Sequence, residues 1–161
     1  MLPRALCLAL FASLLAAAAD SPESASTSCT LDDGQQLSVR YSPAAPGEKL
    51  SNGKIWTPGG VPMFLFSTAV FTLGNTPIPP GAYSMYVIPG NDHWTLIVNK
   101  NVTAGTKYDE HQDLVRAPME VGQISQPLKQ LDISFGHMGP KLCSLRISLN
   151  KVGAFTDFKE Q

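Results

Sequence analysis

The sequence predicts an all-β chain: a single antiparallel β-sandwich, jelly-roll-like or immunoglobulin-like, of about eight or nine strands. Three observations carry that expectation. Apolar residues recur with period two in short runs rather than every third or fourth position. Clusters of Gly, Pro, Asn and Asp separate those runs and supply turn chemistry. Outside the N-terminal segment no window has the spacing of an amphipathic helix, and no internal repeat is visible.

The chain opens Met1-Leu2-Pro3-Arg4, followed by an apolar run from Ala5 to Leu15 and the small residues Ala16 to Ala19. That is the pattern of a secretory signal peptide over residues 1–19, too short for a span of about 20 apolar residues. Cleavage is expected after Ala18 or Ala19, giving a soluble periplasmic or secreted product with no membrane insertion afterwards. Cys7 lies inside the apolar run and leaves with it, so Cys29 and Cys143 remain. In an oxidising compartment two thiols are expected to pair, the alternative being two buried free thiols. Cys29 shares strand parity with Leu31, and Cys143 shares it with Leu145, Ile147 and Leu149, so both point inward. Closing a loop of roughly a hundred residues is worth about 4–5 kcal/mol in the chain-entropy model, an upper figure.

After cleavage about 142 residues remain, enough for one domain with a real core. Loss of Arg4 leaves eleven basic residues against thirteen acidic ones. A net charge this close to zero gives no electrostatic footprint for nucleic acid or an anionic membrane.

Residues 20–28 are small and polar and read as a flexible leader, with the sandwich domain spanning 29–161. Cys29 to Leu31 begins the first strand, Asp32-Asp33-Gly34 turns, and Leu37, Val39 and Tyr41 alternate with Ser38 and Arg40. From Ser42 to Pro62 the pattern stops among eight Gly and Pro residues, with Leu50, Ile55 and Trp56 the only substantial hydrophobes. A connection of this length is either a packed surface loop anchored by Trp56 or a ligand site floored by it. Met63 to Phe66 and Ala69 to Leu73 are short strands.

Tyr83, Met85 and Val87 then alternate with Ser84, Tyr86 and Ile88, Pro89-Gly90-Asn91-Asp92 turns, and Trp94, Leu96 and Val98 resume the alternation. This is a β-hairpin. Both faces of its first strand are largely apolar, which places it centrally, covered on each side. Residues 101–112 form a polar loop. Val115 to Val121 alternates again, but Pro118 cannot donate to a ladder and predicts an edge or a bulge. Leu131 to Phe135 and Cys143 to Leu149 complete the well-patterned strands, and Phe155 and Phe158 suggest a last short one.

No nucleophile elbow, zinc-binding helix motif, phosphate-binding loop or dinucleotide fingerprint occurs. His93 and His137 lie in turns without a carboxylate or cysteine at metal-ligand spacing. The one polar constellation is Tyr108-Asp109-Glu110-His111-Gln112-Asp113. In an extended chain Asp109, His111 and Asp113 share a face and could hold a divalent metal. The alternative is a solvated loop paired with Lys107 and Arg116. Trp56, Tyr83, Tyr86 and Trp94 could supply a stacking platform, though alternation sets Tyr83 and Tyr86 on opposite faces; the competing role is core packing. Asn101-Val102-Thr103 fits a glycosylation acceptor.

Several segments carry a family resemblance. They are Tyr41-Ser42-Pro43, Gly53-Lys54-Ile55-Trp56, Pro80-Gly81 with Tyr83-Ser84, Ile88-Pro89-Gly90, Trp94-Thr95, Asn99-Lys100, Tyr108-Asp109 and Asp113-Leu114-Val115-Arg116. In these the chain resembles a bacterial secreted family known as domain of unknown function 2911. The resemblance implies a single β-sandwich behind a signal peptide and brings no activity or cofactor. One segment departs from the family's run of arginine-threonine-glycine-alanine-asparagine-glutamate after the tryptophan: here Trp56 is followed by Thr57-Pro58-Gly59-Gly60-Val61-Pro62.

The first functional expectation is an exported, non-catalytic module that binds an envelope glycan or protein, without a cofactor, through Trp56, Lys54, Tyr83 and Trp94. The second is a small metal-dependent hydrolase using Asp109, His111 and Asp113. The third is a purely structural envelope protein.

Overall fold

The computed structural model describes residues 24–43, 48–103, 105 and 107–161. The expected signal peptide, residues 1–19, lies outside the described residues. Nine strands follow in order: β1 (Ala25–Thr30), β2 (Gln36–Tyr41), β3 (Met63–Ser67), β4 (Phe71–Leu73), β5 (Thr76–Ile78), β6 (Gly81–Ile88), β7 (His93–Asn99), β8 (Asp113–Gly139) and β9 (Leu142–Glu160). They form one antiparallel sheet in the order β1-β2-β3-β6-β7-β8-β9-β4-β5, not closed into a barrel.

The central hairpin follows from the alternation. β6 and β7 pair from Ser84↔Asn99 to Ile88↔Thr95 across a turn at residues 89–92. Tyr83 to Val87 and Leu96 to Asn99 are all buried. The inner set, Met85, Val87, Trp94, Leu96 and Val98, joins Leu37, Leu65 and Met119 in the core. The outer set is covered by the loop that follows β7: Ser84 Oγ donates to Asn101 O at 2.7 Å, and Tyr86 meets Tyr108 edge-on with ring centroids 4.9 Å apart. In the turn, a Cβ on Gly90 would collide with the His93 carbonyl oxygen. Gly90→Ala is therefore expected to destabilise the fold by about 1–3 kcal/mol, read as a lower urea midpoint at unchanged slope.

The sheet rolls over the core until β1 packs against β8. No ladder joins them. Instead side chains cap the backbone across the seam: Ile133 N donates to Tyr41 Oη at 3.4 Å and Phe135 N to Thr27 Oγ1 at 3.3 Å. Cys29 in β1 and Cys143 in β9 form the expected disulfide, both thiols inward as their parity requires.

Three expectations need revision. Residues 25–28, read as part of a flexible leader, belong to β1, where Ser28 pairs with Ser38. The stretches around 115–121 and 131–135 are one strand, β8, as are 143–149 and 155–158 in β9. Pro118 is not on an edge strand of the sheet, since β8 lies between β7 and β9. It is locally at an edge, however: it pairs with Thr95, and the β9 ladder starts only at Glu120, so its missing donor falls where β8 has one neighbour.

The long β8–β9 ribbon bends in its own plane. Between the matched pairs Gln123↔Val152 and Asp132↔Ser148, β8 takes nine steps and β9 only four. β9 is thus the inner track, and it doubles back at Asn150, which adopts φ 56°. A Cβ on Gly153 would stand 3.2 Å from Ser148 Oγ, and Glu160 N donates to Lys141 O at 2.9 Å. The two halves of β9 therefore run side by side.

Candidate functional site

The aromatic residues expected to bind a ligand are inside the molecule. The segment around Trp56 adds a short stretch of backbone to β6 beyond the end of β3: Trp56 N donates to Val87 O at 2.7 Å and Gly53 N to Pro89 O at 2.8 Å. This carries the Trp56 ring into the core, 7% exposed, edge-on to Trp94 with centroids 6.3 Å apart. Its indole N–H is satisfied by Glu48 Oε1 at 2.6 Å. Trp94 is buried as well, and Tyr83 directs its hydroxyl to Pro79 O at 2.8 Å. None of the three offers a ring face to solvent, because burying aromatic area is worth more than leaving it wet. Lys54 is exposed, unlike the three aromatic residues. Tyr83 and Tyr86 do lie on opposite faces, as alternation requires. The segment that departs from the family run, residues 57–62, makes a 3-10 turn at Pro58–Gly60 with Pro58 buried.

The Asp109, His111 and Asp113 set does not converge either. A 3-10 turn over Glu110–Gln112 replaces the extended chain that would have aligned them. Asp109 Oδ1 caps this turn by accepting from His111 N at 3.0 Å, while His111 itself is exposed. Among the described residues no group of three metal-ligating side chains comes together.

Asp113 has a different task. The β7–β8 ladder slips by one residue between Val98 and Asn99, a bulge that brings Asn99 and Asp113 together on the outer face. Asp113 Oδ1 accepts from Asn99 Nδ2 at 2.8 Å. Its Oδ2 accepts from Tyr108 Oη at 2.6 Å and from Arg116 Nε at 2.7 Å. Arg116 Nη2 also reaches Tyr108 Oη at 2.6 Å, and Glu110 lies 3.8 Å away. Asn99, 1% exposed, gives a second N–H to Asp109 O at 2.8 Å. The network clamps the 100–112 loop onto the central hairpin. Of the two sequence readings of this acidic run, pairing with Arg116 is the one realised.

The clamp has an alkaline signature. Burial, reinforced by the hydrogen bond to Asp113, pushes the Tyr108 phenol from 10.0 to about 12, against the opposing pull of Arg116. The Asp113 hydrogen bond also raises Arg116. The folded state holds the phenolic proton more tightly than the unfolded chain does. That contribution is complete below about pH 10 and is lost as pH rises through about 12. Urea denaturation across this window is expected to show falling stability, with a shallower fall in Tyr108→Phe. Some slope remains in that variant, because burial raises Tyr83 too.

One solvent-facing arrangement went unread in the sequence. The outer face of β1, β2 and β3 carries Ser26 opposite Arg40, Ser28 opposite Ser38, and Phe66 opposite Ser38. With Gln36 and Thr27 they line a shallow hollow of about 370 Å³. The Arg40 guanidinium sits 5.7 Å from the centroid of the Phe66 ring, which is 37% exposed. Arg40 makes no ion pair with a carboxylate among the described residues. The available signal was parity: Phe64 and Phe66 fall out of phase with Met63 and Leu65. Only the register between β2 and β3 reveals what they face.

Residues 21–155 match the sequence profile of a family described as "Protein of unknown function (DUF2911)". No curated protein and no solved structure matches the chain.

Proposed function

The chain belongs to the DUF2911 family, and from that premise we propose that it is an exported, non-catalytic β-sandwich that binds an anionic envelope glycan on the outer face of β1, β2 and β3. The observation that carries this reading is the Arg40–Phe66 pair set among hydroxyl and amide side chains. Sugar recognition calls for an apolar surface beside several fixed hydrogen-bonding groups, and an unpaired guanidinium adds a bidentate partner for a carboxylate. Export is supported by the N-terminal segment and by the disulfide. The absence of catalysis is supported by how Asp109 and Asp113 are used, since they cap and clamp a loop while the His111 side chain stays exposed apart from them.

Titration calorimetry of the mature protein against soluble acidic and neutral envelope-glycan fragments tests the reading. Saturable binding of the acidic fragments is expected, weakened roughly tenfold in Arg40→Ala and lost in Phe66→Ala. Binding indifferent to both substitutions, or none at millimolar ligand, overturns it. The second outcome would favour a purely structural envelope protein, a reading that the burial of Trp56 supports.

A further inference from the structure

A second exposed face lies on the opposite part of the sheet, across the bent β8–β9 ribbon. Its register places His93 opposite Glu120, Glu120 opposite Phe155, and Ser134 opposite Arg146. The contacts between Gly153 and Ser148 and between Glu160 and Lys141 keep one antiparallel count along the doubled β9, and that count sets Arg146 beside Phe155. The two residues indeed share a hollow of about 330 Å³ with Ser134 and Met138. On the other side of Phe155 a hollow of about 410 Å³ is lined by His93 and Glu120. The outer row thus reads His93, Glu120, Phe155, Arg146, Ser134. Phe155 is 38% exposed at its centre, and Met138 is 64% exposed at its margin. Neither Glu120 nor Arg146 makes an ion pair within this chain among the described residues.

We infer that this face binds a second copy of the chain. The row is its own complement. A two-fold axis through Phe155 lays one Phe155 on the other and sets Arg146 of each copy over Glu120 of its partner, each charge one strand spacing, about 4.8 Å, from the axis. Ser134 then meets His93. An unrelated partner would have to reproduce this reversed order of charge, whereas a second copy supplies it by symmetry. The face is small and partly polar, and Asp157, exposed on the same face two residues beyond Phe155 and lining both hollows, meets its own copy across the axis. The dimer is therefore a weak one, populated at tens of micromolar and loosened by salt.

Sedimentation equilibrium of the mature protein over roughly 1–500 µM tests this, at low salt and at about 0.5 M NaCl. The expected result is a monomer–dimer equilibrium that weakens at least severalfold in high salt. Phe155→Asp is expected to leave a monomer. Arg146→Glu and Glu120→Arg each place like charges across the axis and are expected to weaken association at least tenfold. The double variant Arg146→Glu/Glu120→Arg reverses the row but keeps its symmetry, and is expected to restore the dimer. All three positions are solvent-facing, and circular dichroism verifies that each variant is folded. A monomer at every concentration overturns the proposal. So does a dimer untouched by Phe155→Asp, or one that the double variant fails to restore. Glycan binding centred on Phe155 in a monomer assigns the face to another occupant and also overturns it. The Arg40–Phe66 hollow is on different strands, so its titration stands or fails separately.

Discussion

Replacing both Cys29 and Cys143 with serine is expected to cost about 4 kcal/mol of unfolding free energy. The bridge spans 114 residues of sequence. In the chain-entropy model the penalty grows with the logarithm of the closed loop and approaches 5 kcal/mol at about this length. The covalent link also ties β1 to β9 across a seam that no ladder closes. β1 meets β8 through packing and side-chain hydrogen bonds from Tyr41 and Thr27, with no strand ladder. Without the bridge, β1 is held through a ladder only by β2. Urea melts of oxidised and reduced protein, and of the double serine variant, measure the effect. A loss below about 1 kcal/mol would mean that the seam, not the bridge, holds the sandwich shut. Amide exchange should show the difference first in residues 25–30.

Asp113→Ala is expected to cost about 2–3 kcal/mol and to free the loop it clamps. Three donors converge on this carboxylate, and one of them, Asn99 Nδ2, belongs to a side chain 1% exposed to solvent. Removing the acceptor leaves that buried amide short of a partner, while the half-exposed Arg116 and Tyr108 can turn to water. The cost is therefore set by one buried group plus the charge-assisted bonds, not by a full buried ion pair. Asp113→Asn keeps the volume and one carbonyl oxygen but turns an amide N–H₂ toward donors, so it should recover only part of the loss. The measurement is denaturant unfolding paired with amide exchange over 100–112, where protection should fall more than in the strands. Unchanged protection there would refute the clamp.

Much of this architecture is legible because burial in a strand is a local, alternating property. The β6–β7 hairpin, its turn at residues 89–92, the inward cysteines and the opposite facing of Tyr83 and Tyr86 all follow from parity alone. What parity does not carry is partnership. β1 begins in Ala25-Ser26-Thr27-Ser28, which has no apolar alternation to announce a strand; its hydroxyls face outward or bond across the seam. β8 continues through Gly122 to Lys129, polar because it is the outer track of a bend. Trp56 looks like a loop aromatic free to bind until its backbone is found paired with Val87. Asp113 looks like a metal ligand in an extended chain, and a one-residue slip opposite Asn99 makes it a clamp. In each case the deciding neighbour lies on another strand, and register is not written in any single segment.

The open seam between β1 and β8 also orders events in time. A chain that emerges N-terminus first presents β1 and β2 as a lone hairpin, which is marginal in water. Their inner residues must wait for β8 and β9, 92 positions on from Tyr41 to Ile133 and 114 from Cys29 to Cys143, before the core above them is complete. Contacts of such long range make folding slow, and Cys29 stays a free thiol until Cys143 arrives beside it. Forming the bridge thus requires Cys143 to be docked beside β1, and a thiol oxidant acting before that would find Cys29 without its proper partner.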